Sequence, residues 1–255
     1  MRRVLIDASA VAYWRHFARE KNPHADTAAE WTQRFLDDAN PDEAAICFDS
    51  PTNWRTAKHS DYKAHRAPRP DGVKCQIDGL RNLSRAAKFE VEGFEADDII
   101  AGRAADSDAH TIIVASDKDL LQIVSPTVLV FDPVRNKTWD GEAVAEKWGV
   151  LPTGIRMLLA LMGDASDGLA GVPGIGAVKA AQLVNQGQTI GHTPLTMALF
   201  DDPKLRPDDL CESVSRALRE LVIQFADRVR LNYELIGLRT DCFVSSAHDG
   251  EVGGL

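Results

Sequence analysis

Acidic side chains follow apolar segments again and again through the first two-thirds of this chain. Nine carboxylates share this placement: Asp7, Asp49, Glu95, Asp97, Asp98, Asp117, Asp119, Asp164 and Asp167. An acid that ends a buried strand lies at the carboxyl edge of a sheet, where open α/β folds place their sites. So many acids at one edge would raise one another's pKa values unless hard cations such as Mg²⁺ or Mn²⁺ bound their oxygens. The pattern therefore predicts a phosphoryl-transfer site with two metal ions.

Each of these acids also has an ordinary structural explanation. A lone Asp after a strand is usually a turn residue or a helix N-cap. Turns accept Asn, Ser or Gly as readily, so the repeated choice of a carboxylate favours a shared chemical role. Asp98 is the weakest member of the set, because it could simply interact with the positive end of the helix that begins in EADDIIAGRAAD.

The composition is that of a globular chain without a membrane segment. With 255 residues and 44% hydrophobic content, the chain is long enough for one large domain or two small ones. No apolar stretch approaches the roughly 20 residues that cross a bilayer. The start, MRRVLIDAS, becomes acidic too early for a signal peptide, so we expect cytoplasmic residence and no membrane partner. Four scattered cysteines, Cys47, Cys75, Cys211 and Cys242, have neither zinc-ligand nor disulfide-framework spacing.

The charge of the chain is unevenly distributed. The net charge is −9, yet residues 51–75 carry six basic and two acidic side chains. The basic ones are Arg55, Lys58, Lys63, Arg66, Arg69 and Lys74. A basic segment beside a metal-charged acidic site predicts a surface that follows a phosphate backbone. A solvated loop is the alternative explanation for such a run of charge.

The spacing of apolar runs predicts an α/β fold. Short β-branched runs predict buried strands of a largely parallel sheet at 4–6, 44–48, 111–116 and 128–131. Helical patterns lie between these strands, at 27–39, 73–88 and 96–106. Alternation of this kind is typical of a sheet covered by helices.

After about residue 140 the pattern predicts helices alone. Asp140 caps a helix over 141–149, Pro152 opens the next, and a long helical pattern runs from about 208 to 233. The residues at 245–255 are expected to form a frayed tail. We expect an N-terminal part, 1–150, and a helical part, 151–241, that work as one unit because they share the acidic site.

A glycine-rich segment, GVPGIGAVKAAQLV at 171–184, precedes a helix of small residues. Gly174 and Gly176 allow a tight turn that exposes backbone N–H groups at a helix N-terminus, which is a ready phosphate site. Lys179, one turn into the helix, could reach the same phosphate. Such a contact would hold DNA without reading its bases. A plain loop between helices is the alternative.

Seven motifs in order resemble the 5′-nuclease, or flap endonuclease, family, which includes the 5′-nuclease domain of bacterial DNA polymerase I and stand-alone relatives. They are LIDAS, CFDS, DYKAHRAPRP, GFEADDIIA, VASDKDL, GDASDGLAGVPGIGAVKAAQLV and NYELIGLRTD, and they extend from Asp7 to Asp241.

The resemblance implies a PIN-like α/β core, a mostly parallel sheet flanked by helices, with two metal sites for Mg²⁺ or Mn²⁺. The first site would draw on Asp7, Asp49, Glu95 and Asp97, with Asp98 close by. The second would draw on Asp117, Asp119, Asp164 and Asp167, of which Asp117 and Asp119 are also expected to be catalytic. Spacing alone leaves open whether Asp97 or Asp98 faces the metal.

The resemblance also implies the surfaces that bind DNA. Residues 51–75 would form the arch that the 5′ single strand passes, with Arg55 and Arg69 among its contacts. Lys63 and Arg66 would clamp the scissile phosphate, and Tyr62 could stack on a base. A helix–three-turn–helix at about 158–186 would hold the duplex, where family members often carry K⁺. The expected partner is DNA with a 5′ flap or 5′ single-stranded end, bound by a monomer.

The sequence therefore predicts a structure-specific, metal-dependent 5′ nuclease. Two alternatives stay open at this point. A PIN-type ribonuclease would share the acidic core, although small RNA-cleaving relatives do without the arch and the glycine-rich turn. A non-catalytic DNA-structure-binding protein would be expected to have lost metal acids, whereas this chain keeps all of them.

Overall fold

The computed structural model describes residues 1–105, 109–186 and 215–243. Its centre is a six-stranded sheet in the order β3-β2-β1-β4-β5-β6, which is parallel except for the antiparallel last strand. The strands are β1 (Arg2–Asp7), β2 (Glu43–Cys47), β3 (Ala87–Phe89), β4 (His110–Val114), β5 (Val128–Asp132) and β6 (Lys137–Trp139). The four predicted strands are confirmed, and the mostly parallel sheet flanked by helices is confirmed with them.

Helices cover both faces of this sheet. Those of the N-terminal part are α1 (Ala8–Lys21), α2 (Ala28–Ala39), α3 (Trp54–Lys58), α4 (Asp71–Arg81), α5 (Ala96–Ala104) and α6 (Gly141–Trp148). Those that follow are α7 (Ile155–Met162), α8 (Ala177–Gln186), α9 (Arg216–Gln224) and α10 (Ala226–Ile236), and short 3₁₀ turns lie at Asp119–Ile123 and Pro152–Gly154. No helix in these described ranges is both long and apolar enough to span a bilayer.

The predicted helices are confirmed with changes at their ends. Asp140 caps α6 as expected, since its side chain accepts the N–H of Ala143. The helix predicted over 73–88 ends at Arg81, and the segment after it carries β3. The helix predicted from 208 is described only from Arg216, where it is two helices that meet at Phe225. Residues 208–214, Cys211 among them, and the tail at 245–255 lie outside the described residues.

The sheet separates two apolar cores. Side chains alternate along β1, so that Val4 and Ile6 pack under α1, α2 and α4, whereas Leu5 packs on the opposite face with α5, α7 and α10. The core that contains Leu5 extends from the sheet into the C-terminal helices. This shared core explains why the acids of both parts can reach one place.

Three strand ends meet at one edge of the sheet. The parallel register pairs Asp7 of β1 with Cys47 of β2, and Ile6 with Val114 of β4. Asp49 comes two residues after Cys47, and Asp117 comes three residues after Val114. The fold therefore brings Asp7, Asp49 and Asp117 to the same edge, as predicted.

A two-residue hairpin contradicts the expectation that strands stop near residue 140. Strands β7 (Gly163–Asp164) and β8 (Leu169–Ala170) pair antiparallel after α7. The backbones at Gly163 and Gly171 approach so closely that a Cβ on either would lie 2.2–2.3 Å from backbone atoms. Glycine is needed at both positions, and the loop between them presents Asp164 and Asp167 to the site.

Candidate active site

The first group of acids lies at the ends of β1 and β2. Asp7 caps α1 by accepting the N–H of Ser9 at 2.8 Å and of Ala10 at 3.1 Å. Burial raises the pKa of Asp7 to about 7, and the nearby charges of Asp49 and Asp117 add to that rise. Asp49 is held in place by Ser9 Oγ at 2.6 Å and by the N–H of Ala96 at 3.0 Å. Asp7 is thus a helix cap and a member of a crowded acidic group at the same time.

Helix α5 brings two more acids, and they face different partners. Burial and the charges of Asp117 and Asp7 raise the pKa of Asp97 well above its usual value. Its Oδ1 atom is buried and has no hydrogen-bond partner among the described residues. Asp98, in contrast, is fully buried and accepts two short hydrogen bonds from Arg55, at 2.6 and 2.8 Å. Asp97 therefore faces the other acids, whereas Asp98 faces an arginine, and this favours Asp97 as the acid of the site.

Glu95 stands between the acids and the basic segment. Its carboxylate accepts Lys63 Nζ at 2.7 Å, and both Tyr62 Oη and Arg55 Nη1 at 3.0 Å. Burial lowers the pKa of Lys63, but the carboxylates of Glu95 and Asp167 outweigh that effect and raise the pKa above its usual value. The Lys63 ammonium therefore remains charged at the border of the acidic site.

The second group of acids comes from the 3₁₀ turn that begins at Asp119 and from the hairpin that carries Asp164 and Asp167. Asp119, Asp164 and Asp167 are buried, and each has one carboxylate oxygen within 4.8 Å of the others. Burial and the charge of Asp117 raise the pKa of Asp119 well above its usual value, and its Oδ1 atom has no partner among the described residues. Burial also acts to raise the pKa of Asp164, but hydrogen bonds from Lys118 and Ser166 outweigh it and hold the pKa below its usual value.

These groups fit divalent cations. Buried carboxylates are normally hydrogen-bonded or paired, yet one oxygen of Asp97 and one of Asp119 have neither kind of partner in the described parts of the chain. Oxygen atoms of this kind are the ligands that Mg²⁺ and Mn²⁺ prefer. Asp117 lies between the two groups, since its charge acts on both Asp97 and Asp119. The arrangement could hold two ions side by side.

The raised pKa of Asp7 predicts how stability depends on pH when metal is absent. The pKa rises from 3.8 to about 7 on folding, so the folded state binds the proton more tightly and loses stability as pH rises through that interval. Asp7→Asn removes this titration, and Asn still serves as a helix cap. In EDTA, the melting temperature of the variant should rise relative to wild type between pH 5 and pH 8. A constant difference over this range would show that Asp7 titrates normally.

The structure corrects three predicted roles. Arg55 is 2% exposed, and its guanidinium donates to Glu95, Asp98 and the carbonyl oxygens of Leu235 and Gly237, so it has no donor free for DNA. Tyr62 is buried with its hydroxyl on Glu95, so its ring cannot stack on a base. Asp98 is fully buried against Arg55, which turns its carboxylate away from the other acids. All three side chains form buried hydrogen bonds behind the site.

Two other basic residues of the segment contact the acids from its edge. Arg66 Nη2 donates to Asp167 at 2.6 Å, and Arg69 lies 3.4 Å from Asp49. Both side chains are more than a third exposed, whereas Lys63 is 20% exposed. These three cations therefore border the acidic site where a phosphate would approach it, and their contact with DNA stays a prediction.

One of the two glycines predicted to shape the glycine-rich turn has a left-handed backbone. Gly174 has φ of +76°, which favours glycine, whereas Gly176 has no such requirement. A Cβ at either position would meet nothing within 4 Å, so the turn is open on its outer side. Lys179 Nζ donates to the carbonyl oxygen of Gly174 at 2.9 Å, which keeps its charge at the turn. Ile175 between the glycines is buried and anchors the turn to the core.

Three residues of the site were not identified from the sequence. Ser9 orients Asp49, while Lys118 and Ser166 both bind Asp164, at 2.6 Å each. Lys118 and Ser166 each stand between two acids, in SDKD and DASD. Their positions between two site acids could have identified Lys118 and Ser166 from the sequence.

Family models and similar proteins agree with one another. The model described as "5'-3' exonuclease, N-terminal resolvase-like domain" matches residues 2–149, and the one described as "5'-3' exonuclease, C-terminal SAM fold" matches residues 150–250. DNA polymerase I of Rhizobium leguminosarum is 37% identical over 208 residues, which are 79% of this chain and 19% of the polymerase. The 5'-3' exonuclease of Aquifex aeolicus is 30% identical over 210 residues, which are 79% of this chain and 66% of that protein. The chain spans less than a third of the length of the DNA polymerases I that it matches.

Solved structures show the same fold. A pseudo-enzyme-product complex of bacteriophage T5 D15 flap endonuclease with DNA and metal ions has a TM-score of 0.71 at 17% identity, covering 95% of this chain and 91% of that one. This likeness supports the fold, a resolvase-like sheet followed by a SAM-like helical part. Since the N-terminal family model alone matches more than half of the residues, the chain belongs to the 5′-3′ exonuclease family.

Proposed function

We propose that this chain is a divalent-metal-dependent 5′ nuclease that hydrolyses DNA phosphodiesters at a 5′ flap or 5′ end, in replication or repair. One observation carries the proposal, namely two adjoining groups of carboxylates at the carboxyl edge of the sheet, each with one buried oxygen that has no partner among the described residues. The neighbouring T5 structure contains DNA and metal ions, which supports the same chemistry here.

The residues of the chain divide the work among them. Asp7, Asp49, Glu95, Asp97 and Asp117 would hold one ion, and Asp119, Asp164 and Asp167 the other. Bound divalent ions supply the Lewis acidity that activates water and stabilises a leaving oxygen. Lys63 and Arg66 lie within hydrogen-bonding distance of Glu95 and Asp167, so a phosphate at the acids would come within their reach. Their charges would stabilise the negative charge that builds on the phosphate during hydrolysis.

The C-terminal part would hold the duplex. We place the N-terminal nuclease part at 1–150, with the arch at 51–75, and the DNA-binding helical part at 151–241, with the helix–three-turn–helix at about 158–186. The open turn at Gly174 and Gly176 supports a contact with the DNA backbone. K⁺ at this turn and a monomeric state in solution belong to the same proposal.

Cleavage and binding of three substrates test this function against its alternatives. The substrates are a 5′-flap DNA, a blunt duplex of the same length and a single-stranded RNA, each with Mg²⁺ and with EDTA. We expect metal-dependent cleavage of the flap DNA at the junction. Cleavage of the RNA alone would identify a ribonuclease, and binding of the flap without cleavage would identify a DNA-structure-binding protein.

Lys63→Ala should reduce the rate of cleavage more than the affinity for DNA. One charge-assisted contact made in the transition state is worth roughly two orders of magnitude in rate. Binding rests on many phosphate contacts, so the loss of one should change the Kd little. The measurements are single-turnover rate in Mg²⁺ and Kd in EDTA. Lys74→Ala is the matched control, because Lys74 lies in the same segment but is 59% exposed and pairs with Asp71. Equal losses of rate and affinity in Lys63→Ala would contradict its assignment.

A further inference from the structure

A cavity of about 570 Å³ adjoins the acidic site on the side of β5 and β6. Asp117 and Ser166 belong to its wall and to the acidic site, so the two spaces are continuous. Its volume lies within the range of pockets that enclose small organic ligands. The functions described so far do not use it.

The cavity lies between the acids and the C-terminal end of α6. Lys147 and Trp148, at the end of α6, form part of its wall. The next residue, Gly149, is joined to α8, because its carbonyl oxygen accepts Asn185 Nδ2 at 2.6 Å. The end of α6 that borders the cavity is therefore joined to the C-terminal end of α8.

The charge of the cavity wall favours an anion. Arg135 is neutralised by the buried Asp132 at 2.5 Å. Lys137 and Lys147 have no carboxylate within 4 Å in the part of the chain that the structure describes, although the whole chain carries a net charge of −9. Lys137 Nζ lies 4.0 Å from the ring centre of Trp139, which is also in the wall.

The wall also offers aromatic surface beside these charges. Trp139 and Trp148 both line the cavity. Aromatic side chains next to unpaired lysines are the combination that binds nucleotides, because every base has a face for stacking and every phosphate is an anion. A cavity with these two features is suited to a nucleotide rather than to an apolar ligand.

We propose that this cavity binds a nucleoside 5′-phosphate, with the phosphate at Lys137 and Lys147 and the base against the half-buried Trp148, while the buried Trp139 positions Lys137. The inference rests on the proposed function and adds a binding site to it. The same chemistry has two sources, a nucleotide of the strand beside the cleaved bond or a mononucleotide released as product.

Binding measured without cleavage separates these sources. The variants are Lys147→Ala, Lys137→Ala and the double variant, all in the full chain and in EDTA. Lys21→Ala is the control, because it removes the same charge at the far end of α1, a helix that starts at the acidic edge and runs away from it. The probes are a 5′-flap DNA, followed by fluorescence anisotropy, and thymidine 5′-monophosphate, followed by quenching of tryptophan fluorescence, with thymidine as its phosphate-free control.

If the strand fills the cavity, the Kd for flap DNA should rise about tenfold for each lysine removed, relative to Lys21→Ala. If the released product fills it, the Kd for thymidine 5′-monophosphate should rise by that factor while the Kd for DNA matches that of Lys21→Ala. Equal affinities for both probes in the double variant and in Lys21→Ala would overturn the inference.

Melting curves verify folding, and Lys147→Ala alone, at an exposed position, decides the question if the double variant does not fold. A wild type that does not cut flaps in Mg²⁺ is a different result, and it overturns the proposed function.

Discussion

Asp119→Asn is expected to abolish cleavage of flap DNA in Mg²⁺, with a loss of at least about a hundredfold in single-turnover rate. The reason is that Asp119 belongs to the buried group with Asp164 and Asp167, and one of its oxygens has no partner within the described chain. Asn keeps the shape of the side chain but removes the charge that a divalent cation needs. Affinity for the flap, measured in EDTA, should stay within about threefold of wild type, because DNA is held by many phosphate contacts elsewhere.

A second measurement on the same variant tests why the rate falls. Burial and the charge of Asp117 raise the pKa of Asp119, so the ionised carboxylate destabilises the metal-free fold at neutral pH. In EDTA at pH 7.5, Asp119→Asn should therefore melt above wild type, whereas Mg²⁺ should raise the melting temperature of wild type more than that of the variant. Asp38→Asn, an exposed position on α2, is the matched control and should leave rate and stability unchanged. Cleavage above a tenth of the wild-type rate would remove Asp119 from the site.

The parts of the fold that follow from local pattern were predictable. Strands at 4–6 and 111–116 are continuous β-branched runs, and each ends before an acid, so their direction and their shared edge could be inferred. Helix α1 was not predicted, although the sequence analysis had identified its N-cap residue, Asp7, as a site acid. The N-cap explanation was considered for the nine acids as a group, but no helix was predicted after Asp7, and the structure shows that Asp7 both caps α1 and belongs to the acidic site.

The parts that depend on distant residues could not be predicted. Strand β3 has three residues and exists because β2 offers a free edge for pairing. In the same way, the choice between Asp97 and Asp98 depends on Arg55, which comes from the basic segment more than 40 residues earlier. A spacing argument compares positions on one helix, and here the partner on another helix decides which acid faces the metal site.

The basic segment shows that charge, like spacing, does not reveal which residues are buried by distant contacts. From the sequence, Arg55, Lys63 and Arg66 were equivalent members of a run of cations. In the structure, the side chain of Arg55 is 3% exposed and that of Arg66 is 46% exposed. The net charge of a segment therefore does not identify which of its cations are exposed. The cation that is buried is the one whose loss should affect stability most.

Arg55→Met should lower the free energy of unfolding by about 3–5 kcal/mol, because it leaves a buried charge without its partner. Asp98 has no exposed surface, and its two oxygens would lose the hydrogen bonds at 2.6 and 2.8 Å. The carbonyl oxygens of Leu235 and Gly237 would lose a donor as well, which loosens the C-terminal segment from the site. Urea unfolding in EDTA measures this effect. Lys58→Met is the control, because Lys58 lies on the same short helix, is 42% exposed and pairs with Glu234 at the surface, where a pair is worth about 1 kcal/mol or less.

A double variant shows whether the unpaired carboxylate is the cause. Arg55→Met combined with Asp98→Leu removes both charges, so it should be more stable than Arg55→Met alone, since replacement of a whole buried pair is tolerated far better than loss of one partner. A direct DNA contact at Arg55 predicts the opposite pattern, in which unfolding is unchanged and affinity for flap DNA falls in Arg55→Met and in the double variant alike. Stability restored by Asp98→Leu, together with an unchanged Kd for DNA, would establish Arg55 as the residue that fixes segment 51–75 and the carboxylate of Glu95 to the core.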